Sequence, residues 1–368
     1  MKRLILFLAF TGLIAFSSAQ LPHYVITGKI EGAENIKFFL QQSVNGRLVN
    51  LDTAVSINGV FRMTRGSVKY PEIANLVTED RKKALSFYLE NTNITITGKL
   101  DSLGSARITG SKTQDEILSL ANSIKPMGEM YGAKSAELAA AKKAGDTTKM
   151  ISLSSQMNIM MAQATELEIE FVKSHPKSFA SPEILRNVAT SIKATDLESI
   201  IKAMDPEVAK TPIITGLKLR IDILKSVDIG KKAPDFTLND PQGNKVSLSS
   251  KIGSKLLLID FWAAWCSPCR AENPNVVKVY NEFHSQGFDI LGVSLDRSGA
   301  DWNKAISDDK LTWTHISDLQ YWNSAAAKLY GVNSIPANFL LDNNGIIIAK
   351  NLRGEALYNK VKEVIDVK

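Results

Sequence analysis

The chain is poor in cysteine, in histidine and in long apolar runs, and each shortage excludes something. Two cysteines in 368 residues cannot staple a small disulfide-built scaffold, so the fold must rest on buried cores, which this length can supply. Four scattered histidines are a poor start for a zinc site, which needs four ligands around the metal. Beyond the N-terminus, no segment approaches the ~20 consecutive apolar residues of a membrane-spanning helix. Lys and Arg total 44 against 38 Asp and Glu and form no block, which argues against nucleic acid as a partner. With 22% charged and 44% apolar residues the composition is that of a globular chain, and the length suits two or three domains.

The first residues read as a processing signal. Lys2-Arg3 precede an apolar stretch from Leu4 to Phe16, and Ser17-Ser18-Ala19 follow. That is a charged start, a short hydrophobic core and a small-residue cleavage site, as in secretory leaders. Cleavage after Ala19 removes residues 1–19 and leaves Gln20 first. The competing reading, an N-terminal anchor, needs a longer run. No cysteine follows the cleavage site to take a lipid. The expectation is a mature protein that is exported and soluble.

The texture then changes twice. Residues 20–110 carry short apolar alternations punctuated by Gly and Asn, such as Tyr24-Val25-Ile26-Thr27-Gly28 and Asn93-Ile94-Thr95-Ile96-Thr97-Gly98. Asn58-Gly59 between strand-like runs is a hairpin signal, since both central residues of a type I′ turn need positive φ. These features predict a small antiparallel β domain, arranged as a sandwich. Residues 111–228 predict an all-α connecting domain. Thr113-Gln114-Asp115-Glu116 has the capping-box form, breaks fall near Gly145-Asp146 and His175-Pro176, and Ser181-Pro182-Glu183 reads as a capped helix start. Six methionines fall there, at Met127, Met130, Met150, Met157, Met160 and Met161. Packing between helices is the expectation for them, against a docking surface or thioether ligands for Cu(I).

Residues 229–368 alternate strand and helix, as in an α/β domain. All five tryptophans and both cysteines lie here. Leu256 to Phe261 reads as a buried strand, and Trp265-Cys266-Ser267-Pro268-Cys269-Arg270 stands where that strand gives way to a helix. A C-x-x-C pair so placed sets the first thiol against unpaired backbone N–H groups and the positive end of the helix dipole. The thiolate is thereby favoured, and the thiolate is the attacking species in disulfide exchange. The second thiol, one turn on, can resolve a mixed disulfide. Pro268 suits the first helical turn, where a missing N–H costs nothing. Three other readings compete. Zinc lacks further ligands, a structural disulfide would close only a tiny loop, and c-type haem would need His where Arg270 stands.

Leu258 to Arg270 resembles the active-site strand, turn and helix of thioredoxin-fold proteins. With Ala233-Pro234-Asp235-Phe236-Thr237-Leu238 and Gly331-Val332-Asn333-Ser334-Ile335-Pro336, the C-terminal part resembles the TlpA/ResA-like thiol–disulfide oxidoreductases of the AhpC/TSA-type redoxin branch. The resemblance implies an α/β thioredoxin fold. Cys266 then matches the nucleophilic, more exposed thiol and Cys269 the buried resolving thiol. Pro336 matches the family's cis-proline, with Ile335 beside it in the backbone offered to substrate, and Pro274 the proline of the active-site helix. Trp265, Ser267 and Pro268 border the substrate in the same reading. Asp260 matches a buried acid that shuttles a proton to or from Cys269, because burial raises a carboxyl pKa toward neutrality. The Ser267-Pro268 dipeptide departs from the common Gly-Pro, so the redox potential is not inherited.

The implied activity is a protein-disulfide oxidoreductase of the periplasm or cell envelope without a bound cofactor. Its partners would be disulfide-containing envelope proteins and a membrane-bound thiol reductant, with no nucleic acid. Two other functions compete. A thiol-dependent peroxidase shares the Ala233-Pro234-Asp235-Phe236 opening but needs a Pro and a Thr before its cysteine, and Phe261 to Trp265 holds neither. An envelope binding protein with an accessory dithiol would give the front domains a role in docking or in forming a homodimer. Asp301-Trp302 and Trp313-Thr314-His315 could line a substrate groove, but the expectation for Trp302 and Trp313 is core packing.

Overall fold

A computed structural model of the chain describes residues 23–44 and 46–366, so the expected leader over 1–19 lies outside the described residues. The chain divides into two compact units. One holds residues up to Ser191 together with Lys202–Ile214, the other Ile192–Ile201 together with Thr215 onward.

The first unit opens with eight strands: β1 (Val25–Glu31), β2 (Lys37–Val44), β3 (Arg47–Val55), β4 (Val60–Met63), β5 (Glu72–Thr78), β6 (Ala84–Leu89), β7 (Asn93–Lys99) and β8 (Arg107–Thr109). They form two four-stranded sheets, β4-β1-β7-β8 and β3-β2-β5-β6. Alternation sends Ile26, Ile30, Ile94 and Ile96 of one sheet and Phe38, Leu40, Leu76 and Phe87 of the other into one shared core. The pairing is antiparallel throughout except that β1 runs parallel to β7, from Val25↔Asn93 to Glu31↔Lys99. The strictly antiparallel expectation fails at this pair because a long crossover, not a hairpin, joins the two strands. Asn58 and Gly59 do form a tight turn with φ of 49° and 75°. It is closed by Ile57 N donating to Val60 O at 2.8 Å and the reverse bond at 3.0 Å. The strands it joins belong to different sheets, so the turn is a corner of the sandwich. A side chain on Gly59 would meet the Ile30 carbonyl at 2.5 Å.

Two long helices follow, α1 (Lys112–Ala144) and α2 (Thr147–Ser174), then α3 (Ser181–Val188), α4 (Ala194–Ala203) and α5 (Pro212–Ser226). The cap of α1 is Ser111, not Thr113: its Oγ accepts from Gln114 N at 3.0 Å. Glu90 decides the matter, since its carboxylate accepts from both Ser111 Oγ (2.8 Å) and Thr113 N (2.6 Å) and draws Thr113 inside the helix. Ser181 likewise does not cap α3. Its hydroxyl donates to His175 O at 3.0 Å, and Ala180 occupies the cap position. Met157 and Met160 are packed as expected, whereas Met130 and Met161 face solvent. Among the described residues no helix is long and apolar enough to cross a membrane.

The second unit is built on β9 (Thr237–Asn239), β10 (Lys245–Ser247), β11 (Leu256–Trp262), α6 (Ser267–Phe283), β12 (Phe288–Ser294), α7 (Gly299–Asp308), β13 (Thr314–Ser317), α8 (Ala325–Leu329), β14 (Ala337–Asp342), β15 (Ile347–Lys350) and α9 (Glu355–Asp366). The sheet order is β10-β9-β13-β12-β11-β14-β15. β11 and β12 are parallel, β14 runs antiparallel to β11, and all seven residues of β11 are buried. A central strand covered on both faces reads as a continuous apolar run, which is what Leu256 to Trp262 shows with Asp260 as its one acid. This is the α/β thioredoxin fold the resemblance implies. The chain leaves β11 at Trp262, turns through three residues and enters α6 at Cys266.

Candidate active site

Cys266 is the N-cap of α6, and Cys269 lies one turn in. The two are joined in a disulfide with Cα atoms 5.3 Å apart. Cys266 Sγ accepts the backbone N–H of Cys269 at 3.2 Å, so an unpaired donor of the first helical turn points at this sulfur. Ser267 and Pro268 complete the turn, with Pro268 where no N–H is needed. Cys266 is 4% exposed and Cys269 1%, so the dithiol opens to solvent at Cys266 only by a narrow margin. Beside it, Trp265 is 44% exposed.

Asp260 lies on β11 between Gly292 of β12 and Asn338 of β14. Burial pushes its carboxyl up to about 7, the nearby Glu272 carboxylate adds to the rise, and the Arg353 guanidinium opposes it. Two elements bring those charges in. Glu272, on α6, accepts from Gly354 N and from Asn275 Nδ2, both at 2.8 Å. Arg353, just before α9, donates to the carbonyl of Pro336 at 2.5 Å. The Ile335–Pro336 peptide bond is cis. Arg353 therefore contacts the Pro336 loop while biasing the proton of Asp260.

The turn ahead of Cys266 is tied down by groups the sequence reading did not single out. Asp296, buried just past β12, accepts from Ala264 N through both oxygens (3.2 and 3.0 Å) and from Ser294 Oγ at 2.8 Å. Burial raises its pKa, partly offset by those bonds. Leu295 N donates to Trp262 O at 2.9 Å, and Trp265 Nε1 to Leu295 O at 3.4 Å. From the other side Arg270 reaches Ala264 O at 3.4 Å while its Nε and Nη2 hold Asp309 as a fork. Asp309 also accepts from Asn273 Nδ2 at 2.6 Å. A sequence signal for Asp296 exists all the same, since it is an acid just past the end of the apolar strand Phe288–Ser294.

The exposed aromatic face beside the dithiol is wider than Trp265 alone. Its ring lies 4.9 Å from Tyr321 and 5.8 Å from Trp322, and Arg297 stacks 4.2 Å over Tyr321. Trp302 and Trp313 are buried, as the packing expectation holds. His315 is buried too, with its ring 5.4 Å from Trp262 and 5.6 Å from Trp313, and burial lowers its pKa to about 3. It occupies the space left by Gly292, its register partner on β12, where a Cβ would lie 2.3 Å from Nδ1. The other histidines have ordinary settings: His175 stacks on Phe171 at 4.2 Å and His284 on Tyr280 at 4.5 Å.

Comparison with known proteins finds two family matches along the chain. Residues 229–350 match the AhpC/TSA family, and residues 24–117 match a domain of unknown function, DUF4369. The chain is similar to the thiol-disulfide oxidoreductase ResA of Geobacillus thermodenitrificans, 30% identical over 141 residues, or 38% of this chain and 78% of that protein. It is 33% identical to ResA of Geobacillus kaustophilus over 120 residues, or 33% of this chain and 67% of that protein. Among solved structures, the thioredoxin domain of a thiol-disulfide oxidoreductase from Bacteroides vulgatus is 42% identical. It covers 38% of this chain and 100% of its own, with a TM-score of 0.36.

Proposed function

Given that the chain belongs to the ResA-like thiol–disulfide oxidoreductases of the AhpC/TSA family, we propose that it is an exported reductant of disulfides in envelope proteins. In the reduced protein the Cys266 thiolate attacks one sulfur of a client disulfide, forming a mixed disulfide and releasing the client's other thiolate. Asp260 takes the proton from Cys269, whose thiolate then attacks Cys266 Sγ and frees the second client sulfur. Two electrons and two protons pass to the client, and the dithiol becomes the Cys266–Cys269 disulfide. A membrane-bound thiol donor returns the electrons. Pro336 and Ile335 present backbone to the client chain, and Trp265, Ser267 and Pro268 border the attacked bond. Residues 1–19 are the leader that exports the protein, the front β and helical domains follow, and the redox chemistry is confined to residues 229–368.

Two features support this reading: a sulfur capping a helix and receiving a backbone N–H, and, in the same unit, a buried acid whose pKa is pushed up to about 7. The first favours a thiolate, the second a proton acceptor at neutral pH. Cys266→Ser is expected to abolish reduction of insulin, and Cys269→Ser to trap clients as stable mixed disulfides. If Cys266→Ser keeps full activity, or Cys269→Ser traps nothing in an envelope extract, the reading is wrong. Equilibration with glutathione buffers gives the direction of electron flow. A potential near that of a strongly oxidising dithiol, about −120 mV, would make the protein an oxidase instead.

A further inference from the structure

The segment after β13 is built in an unfavourable way. Leu319 and Tyr321 both sit in the left-handed region, with φ of 55° and 56°, where bulky side chains are rarely found. Three bonds hold the segment there. Leu319 N donates to Ser317 Oγ at 3.0 Å, and Asp318 accepts from Gln320 N at 3.2 Å and from Ala325 N at 2.8 Å. Backbone held against its preference gathers at ligand-contacting sites, where the surroundings over-determine it.

What this arrangement achieves is local to the dithiol. It brings Tyr321 and Trp322 beside Trp265, the residue next to Cys266, with the Tyr321 and Trp322 rings 5.7 Å apart. None of the three rings is fully buried, and Leu319 next to them is also exposed. Trp262, Trp302 and Trp313, by contrast, are committed to the core. At the edge of the shelf Arg297 is exposed, and its contact among the described residues is with the Tyr321 ring. Its plane is taken up by Tyr321, and its N–H fork is free for a carboxylate.

We infer that Trp265, Tyr321, Trp322 and Arg297 form a recognition shelf for the client chain. It selects a disulfide whose cysteine is flanked by an aromatic side chain, with a carboxylate just beyond. This rests on the reductase reading and names the class of client that reading leaves open. The occupant is an extended polypeptide because the shelf is continuous with the dithiol. An aromatic side chain gains stacking there that an alanine cannot.

The test uses the reduced full-length protein and four disulfides: uncharged hydroxyethyl disulfide, a peptide disulfide with Phe and Asp beside its cysteine, the same peptide with Ala for Phe, and the same peptide with Lys for Asp. The Phe/Asp peptide is expected to be reduced about ten-fold faster in kcat/KM than the Ala form. In Tyr321→Ala and Trp322→Ala the ratio of peptide to hydroxyethyl disulfide kcat/KM falls about ten-fold, mainly through KM. Arg297→Glu, a surface change that leaves the core untouched, reverses the choice between Asp and Lys. The inference is overturned if the wild type does not discriminate, if the ratio stays within two-fold in the variants, or if Arg297→Glu leaves the charge preference intact. A wild-type protein that reduces none of the four disulfides refutes the reductase reading itself, a different outcome from turnover without preference.

Discussion

Replacing Asp260 by asparagine removes one buried ionisation with little change of shape, and the outcome can be worked out in sign and size. In the folded protein its pKa is raised from the ordinary 3.8 to about 7, chiefly by burial. The folded state therefore holds a proton on this carboxyl over a pH range where the unfolded chain has lost it. Stability contributed by this group is complete below about pH 4 and is lost as pH rises toward 7. At about 1.4 kcal/mol per pKa unit the full loss is about 4 kcal/mol. Asp260→Asn escapes it, so the variant should match the wild type near pH 4 and exceed it by a few kcal/mol at pH 8. Urea unfolding of the oxidised protein across that range measures the difference, and other titrating groups cancel in the comparison. The same substitution removes the proposed proton acceptor for Cys269, so resolution of a mixed disulfide should slow and its pH dependence between 6 and 9 should flatten. A constant stability difference from pH 4 to 8, with unchanged resolution kinetics, would refute both the raised pKa and the proton-transfer role.

Other expectations follow from single contacts. Asp296→Ala strips Ala264 N–H of its carboxylate acceptor and should cost about 1.5–3 kcal/mol, with Asp296→Asn recovering much of it; equal denaturation midpoints for all three proteins would count against the clamp. His315, neutral in the core with a pKa near 3 against an ordinary 6.5, should make the redox unit lose stability as pH falls from about 6.5 toward 3. NMR titration of its ring protons checks this, and a midpoint above 6 would contradict it. Ser111→Ala should weaken the start of α1 by about 1 kcal/mol, visible as faster amide exchange over its first turn, whereas Thr113→Ala should not show that loss of a cap.

What was legible in the sequence was local. The C-x-x-C turn and the helix it opens are written within a few residues, so Cys266 and Cys269 are legible locally, while Asp260 is marked by the resemblance of the strand Leu256–Trp262 that holds it. Groups that act on them from a distance are not legible in this way. Glu272 and Arg353 reach the environment of Asp260 only because α6 and the approach to α9 meet beside β11, and no periodicity encodes that meeting. Tyr321 reads as one loop aromatic among others until a left-handed backbone turns it toward Trp265. Alternation told which faces of β1 and β7 are buried but not that these strands are parallel neighbours. At the start of α1 two cap motifs overlap, and the choice belongs to Glu90, a residue of the β domain.

The pairing of Gly292 with His315 has a consequence for anyone altering this domain. Because the imidazole fills the volume of a side chain that its neighbour does not have, the two positions form one packing unit shared across adjacent strands. Enlarging either residue alone forces the pair apart beneath Trp262, while an exchange that moves bulk from one strand to the other conserves the total. Library designs around this dithiol should therefore vary positions 292 and 315 jointly, as a single coupled site.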